Sequence, residues 1–184
     1  MLAGHTGDID MVLNALEHEL PMVRDVALGA LSRMDKLEIE ILRRFRTDPD
    51  ARVRKRVAEL AATFPDFDLL PLLNDDDPMV AEMAAWSCGE HELNSGDVVD
   101  KLIAMATTHG EPLVREAAVA ALGAIGDERG LTAILSACDD KPAIRRRAIL
   151  ALAPFDGPEV DAALKKGLDD RDWQVRQAAE DLLG

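Results

Sequence analysis

The phrase Pro21-Met-Val-Arg24-Asp-Val-Ala27 returns in recognisable form five more times along the chain, and that repetition constrains the fold more than any other feature. The further copies are Ala51-Arg-Val-Arg54-Lys-Arg-Val57, Pro78-Met-Val-Ala81-Glu-Met-Ala84, Pro112-Leu-Val-Arg115-Glu-Ala-Ala118, Pro142-Ala-Ile-Arg145-Arg-Arg-Ala148 and Trp173-Gln-Val-Arg176-Gln-Ala-Ala179. Their fourth positions, the anchors 24, 54, 81, 115, 145 and 176, lie 30, 27, 34, 30 and 31 residues apart. A period of that length holds two short helices and two turns, and fits a βαβ unit poorly. Each copy opens on Pro or just behind an acidic cluster, such as Asp75-Asp-Asp-Pro78, which favours a helix start through a fixed φ and the macrodipole. Apolar residues then recur four positions apart, as in Val114, Ala118 and Leu122, and make one buried helical stripe.

Upstream of each phrase stands a second amphipathic segment, such as Ile9 to Leu16, Leu37 to Leu42, Val98 to Ile103 and Val160 to Leu164. These predict the first helix of each pair. In the third copy the slot is filled by Phe67 to Leu73, where Pro71 predicts the most irregular helix of the set. Composition agrees: 48% of residues are hydrophobic, only 3% are aromatic and there is no Tyr, which suits close-packed helices better than sheets. The expectation is an all-α chain forming one domain over residues 1–184, with repeats at approximately 1–34, 35–65, 66–92, 93–126, 127–155 and 156–184.

The pattern resembles the HEAT-repeat family, in particular the short repeats also found in phycobilin lyases. The fourth copy carries the resemblance best, in Pro112, Val114-Arg115, Ala118, Ala121-Leu122-Gly123 and Gly126-Asp127. Ala81 where Arg is the rule, Val57 where Ala is, and Trp173 in place of Pro depart from it. The resemblance implies a right-handed α-solenoid (an α-α superhelix) of six HEAT-like hairpins whose second helices line a concave face. It also implies two function classes: a non-catalytic scaffold that binds a protein or peptide, or, as the alternative, a bilin-lyase-like or chaperone-like protein acting in its groove on a tetrapyrrole or its carrier.

Helical geometry divides the anchor region into two sets. The arginines Arg24, Arg54, Arg115, Arg145 and Arg176 stand near acids of the neighbouring turns, such as Asp50, Asp140 or Asp170, and read as a structural ladder tying one hairpin to the next. With the residue before the anchor and the one three after it pointing inward, the residues just after the anchor turn to the opposite side. That row reads Asp25, Lys55, Glu82, Glu116, Arg146 and Gln177, with Arg56 and Arg147 beside it and Trp86 further along its helix. Trp86 is the residue best suited to anchor a partner, since an exposed Trp gives large contact area at small entropy cost.

Charge narrows the partner class. A formal net charge of −14 opposes nucleic acid and anionic membrane and suits partners with basic patches. The exception is Arg43 to Arg56, with seven basic residues against two acidic ones. That segment reads as a solvated face, or more sharply as a seat for an anion. No apolar run reaches the length of a membrane span and the first residues lack a secretory plan, so the expectation is a cytoplasmic protein. Cys88 and Cys138 fit small buried hydrophobes in a reducing compartment rather than a disulfide.

Catalytic motifs are missing from the sequence. A HEAT-like hydroxylase would place His-Glu pairs just after the anchors, but His18-Glu19 and His91-Glu92 lie elsewhere, and His5 and His109 are isolated. A HEAT-like DNA glycosylase would need a basic track and aromatics to hold a flipped base. No Gly-rich phosphate loop, Cys-x-x-Cys or nucleophile elbow occurs. The sequence therefore predicts neither enzyme, metal nor cofactor. Finally, Leu2-Ala-Gly4-His-Thr-Gly7-Asp8 looks like the tail of a preceding repeat, which would leave an uncapped N-terminal hairpin able to pair with a second copy.

Overall fold

The computed structural model describes residues 8–184. His5, and the reading of Leu2 to Asp8 as a repeat tail with its uncapped first hairpin, rest on residues outside these, apart from Asp8. Among the described residues there are twelve α-helices, one 3-10 turn and no strand. The helices fall into six successive pairs: α1 (Ile9–Ala15) with α2 (Pro21–Arg33), α3 (Ile39–Phe45) with α4 (Ala51–Ala61), α5 (Leu70–Leu73) with α6 (Pro78–Glu90), α7 (Gly96–Thr108) with α8 (Pro112–Ile125), α9 (Leu131–Ala137) with α10 (Pro142–Ala151), and α11 (Pro158–Leu168) with α12 (Trp173–Leu183). The fold is an all-α solenoid of helical hairpins.

Local chemistry sets the ends of these helices. Proline opens α2, α6, α8, α10 and α11, at positions whose missing N–H would have no partner inside the helix. The two second helices that lack an opening proline, α4 and α12, are capped by aspartate: Asp50 accepts from the Arg52 N–H and Asp172 from the Gln174 N–H, each at 2.9 Å. Pro71 is tolerated only in a first turn, so α5 begins at Leu70 and is confined to four residues. At the far end, α2, α6 and α8 stop at the same repeat position with a left-handed residue: Asp35 (φ 55°), Glu92 (φ 49°) and Gly126 (φ 66°). The reversed backbone returns the Lys36 N–H to the Leu31 carbonyl at 2.9 Å and the Leu93 N–H to the Cys88 carbonyl at 3.1 Å, satisfying carbonyls the helix leaves free.

Two compact units divide the chain between Ala84 and Ala85, inside α6. In the first unit α4 packs on α2 and α3, and α1 on α2. Leu28, Leu31, Leu42, Val53 and Val57 are fully buried there. In the second unit the second helices pack in sequence, α8 on α10 and α10 on α12, each against its own first helix. Val114, Leu122, Ile134, Ile144 and Leu152 form that core. Each such side chain contributes about 1.5–3 kcal/mol through its removal from water. The second helices of this unit approach closely because their facing residues are small: a Cβ added to Gly123 would lie 2.6 Å from the Ala151 Cα.

Candidate interaction face

The anchor arginines lock the loops. Arg24 donates from Nε and Nη2 to the Asp48 carboxylate at 2.8 and 2.7 Å, and its Nη1 donates to the carbonyls of His18 and Glu19. Arg54 does the same one repeat later, reaching the Asp75 carboxylate at 2.6 and 2.8 Å and the Asp48 carbonyl at 2.9 Å. In the second unit Arg115 holds Asp140 at 2.7 and 3.0 Å, and Arg145 holds Asp170 at 2.8 Å through both nitrogens while taking the Asp140 carbonyl at 2.9 Å. Arg176 bonds the Asp170 carbonyl at 2.7 Å. Every aspartate in these pairs thus receives one arginine on its carboxylate, and Asp48, Asp140 and Asp170 receive the next on their carbonyl.

These are two-pronged, charge-assisted bonds between largely buried groups. Arg115 and Arg145 hold the Asp140 and Asp170 carboxyls below the usual carboxylate range, and the guanidinium groups are raised in return. One detail differs from the sequence reading: Asp48, not Asp50, meets an arginine. Asp48 also accepts the Asp50 N–H at 2.9 Å, which turns its carboxylate back toward Arg24, while Asp50 is used as a helix cap.

The third copy has Ala81 at the anchor, buried at 1% exposure, and so supplies no guanidinium. The matching acceptor position, six residues before the fourth anchor, is His109 rather than aspartate. His109 Nδ1 accepts the Glu111 N–H at 3.1 Å, as His18 Nδ1 accepts the Leu20 N–H at 3.0 Å. An imidazole nitrogen thus makes the same turn as the aspartate carboxylate of the other copies.

The row after the anchors is half-buried in both units, with Gln177 exposed. In the first unit Asp25 accepts from Arg56 Nε at 2.6 Å, and Arg56 Nη1 also donates to Glu59 at 2.7 Å. Lys55 and Glu82 have no hydrogen-bond or ion-pair partner among the described residues. An open recess of about 380 Å3 is lined there by Asp25, Arg52, Lys55, Arg56, Glu59 and Met83.

In the second unit Trp86 is 42% exposed although Ala85 and Ser87, its chain neighbours, are fully buried, so its indole projects from α6. Arg147 Nε stands 3.8 Å from Glu116, and Gln177 donates to Asp181 at 2.8 Å. Arg146 has no partner among the described residues. It shares a recess of about 130 Å3 with Leu150, Trp173, Gln174, Gln177 and Asp181. Trp173, 64% exposed, is the residue that sequence reasoning passed over as a mere departure from proline. The first residue of each second helix is exposed or half-buried in every copy, and none is buried.

The basic segment from Arg43 to Arg56 is not a free island. Acids outside the segment neutralise most of it: Glu17 pairs with Arg44, Asp68 with Arg46, Asp75 with Arg54 and Asp25 with Arg56 across the fold, and Glu40 with Arg43 within one helix turn. Exposed Arg52 and half-buried Lys55 are what is left unpaired. The histidines do not converge: His18 and Glu19 precede α2, and His91 and Glu92 follow α6. Among the described residues no three His, Cys, Asp or Glu side chains gather as a metal site would require. No described helix is long and apolar enough to cross a membrane. Cys88 is buried, whereas Cys138 is only partly so, and neither is in a disulfide.

Helical hairpins repeated in register, with an arginine–aspartate clasp between loops, define the class: an α-helical repeat protein. A family model described as HEAT repeats matches residues 68–143 and 131–184, more than half of the chain, and the chain belongs to that family. No curated protein matches. Among solved structures, the Escherichia coli protein YibA is 21% identical with a TM-score of 0.76, covering 98% of this chain and 69% of its own. An engineered protein is 19% identical with a TM-score of 0.68, covering 96% of this chain and 95% of its own. Human deoxyhypusine hydroxylase, solved in complex with glycerol, is 21% identical with a TM-score of 0.52, covering 95% and 72%. At these identities the likeness is one of fold.

Proposed function

We propose that this protein is a non-catalytic interaction scaffold that binds another protein or a peptide along the row of residues following the anchors of its second helices. The observation that carries the reading is Trp86, a large aromatic side chain left 42% exposed between the buried Ala85 and Ser87 of α6. Exposed tryptophans are enriched among the residues that dominate binding energy at protein interfaces. Lys55 and Glu82 in the first unit, and Arg146 and Gln177 in the second, support it as polar groups presented from the same repeat position. The repeat family supports it too, since stacked hairpins offer extended surfaces rather than compact catalytic pockets.

Affinity capture from native lysate tests the proposal, comparing the natural chain with Trp86→Ala and with Lys55→Glu. The specific partner band is expected to fall at least ~10-fold with Trp86→Ala, as for the loss of an interface anchor. Equal recovery by all three proteins would overturn the assignment of the face.

A further inference from the structure

The second unit offers arginines that the protein itself leaves under-neutralised. Arg56 and Arg147 occupy the same repeat position, and each faces the acid at the preceding repeat's row position, Asp25 or Glu116. Arg56 meets Asp25 at 2.6 Å and has Glu59 as a second carboxylate. Arg147 lies 3.8 Å from Glu116, and its Nε, though buried, makes no hydrogen bond. Its neighbour Arg146 has no partner among the described residues, since the next row residue, Gln177, is neutral and engaged with Asp181. A guanidinium fork without a carboxylate is a preformed half of a two-pronged bond.

Apolar surface lies alongside. Leu150 is common to the recess holding Arg146 and Trp173 and to a second of about 210 Å3 that holds Arg147, Ala124 and Pro154. The two recesses therefore adjoin across Leu150, with one arginine in each and the exposed Trp173 indole at one end. An aromatic wall beside one unpartnered guanidinium group and a second held by a single long ion pair suits a chain that alternates carboxylates with bulky apolar side chains.

From this geometry we infer that the face formed by α8, α10 and α12 takes an acidic peptide segment of a protein partner. Its carboxylates bond Arg146 and Arg147, and an aliphatic or aromatic side chain packs on Trp173 and Leu150. This deepens the scaffold reading and rests on it. The choice runs against the net charge of −14, which draws basic partners at long range, because local unneutralised groups decide the fit at contact. Asp181 faces the same recess, so a basic peptide is the competing occupant.

Panning a random peptide library on the purified full chain separates the two. Peptides combining Asp or Glu with a Trp, Phe or Leu are expected to be enriched. A synthetic copy of the leading peptide is expected to bind at least ~10-fold more tightly than its Glu→Gln, Asp→Asn analogue, and to lose a similar factor on Arg146→Gln and on Trp173→Ala. Circular dichroism checks that both variants keep their fold. Enrichment of Lys- and Arg-rich peptides, no enrichment, or affinity indifferent to Arg146→Gln overturns the inference. If capture of a cellular partner still depends on Trp86 while panning gives any of those results, the acidic segment falls and the scaffold reading stands.

Discussion

Replacing Arg145 with Met keeps the apolar stem and removes only the charged fork, so it isolates what the clasp contributes. The Arg145 side chain is 8% exposed and that of Asp170 is 16%. The variant deletes two charge-assisted bonds of 2.8 Å and the 2.9 Å bond to the Asp140 carbonyl. It also leaves Asp170 as a poorly solvated charge. Removing one partner of a buried pair costs about 3–5 kcal/mol. Asp170 keeps the Asp172 N–H at 2.8 Å and has some access to water, so the lower end, about 3 kcal/mol, is expected. For a chain of this length that lowers the melting temperature by about 6–12 °C. Adding Asp170→Asn removes the stranded charge and is expected to recover about 1–2 kcal/mol. Lys166→Ala is the control, because its pair with Asp139 is 66% and 71% exposed and such pairs contribute about 0–1 kcal/mol. Urea and thermal unfolding followed by far-ultraviolet circular dichroism measure all four proteins. If Arg145→Met lies no further from the natural chain than Lys166→Ala does, the ladder is ornament and the reasoning fails.

Three other outcomes follow from the same geometry. Asp140 and Asp170 have folded-state pKa values lowered by their arginine partners, so their stabilisation is complete above the unfolded value of about 4 and is lost as pH falls through the lowered values. The melting temperature is expected to hold from neutrality to about pH 5 and drop in stronger acid, less steeply in Asp170→Asn; an acid-insensitive transition would contradict this. Glu92 occupies a left-handed position at φ 49° that costs a non-glycine residue about 1 kcal/mol, so Glu92→Gly is expected to raise the unfolding midpoint, and a lowered one would show that the Glu side chain is needed there. Burial, with the charge of Asp139 behind it, pushes the Cys138 thiol up to about 11, so iodoacetamide is expected to alkylate it slowly at neutral pH in the native protein and quickly in urea; rapid native labelling would refute the burial argument.

Much of this was legible in the sequence because repetition supplies its own alignment. Six copies of one phrase place the inward stripe, the proline starts and the anchor arginines without any reference to a known fold. The loop chemistry was harder to see. Asp48 and Asp50 are equally plausible partners for an arginine until the turn decides, through the Asp50 N–H, which carboxylate faces the preceding helix. The charge of the Arg43 to Arg56 segment misled because a window along the chain counts neighbours in sequence, whereas Glu17, Asp68 and Asp75 arrive through packing. Trp173 was hidden by a consensus that marks it only as a missing proline. Exposure, which makes it a candidate contact, is a property of the folded surface.

Hydrogen exchange of the chain alone and with its captured partner tests the central claim most directly, because it reports every helix in one measurement. Protection is expected to rise in the second helices, in α4 around Lys55, in α6 around Trp86 and in α10 around Arg146, while the first helices α3, α7 and α9 exchange as before. Protection confined to those first helices, with α4, α6 and α10 unchanged, would place the partner on the other side and contradict the assignment.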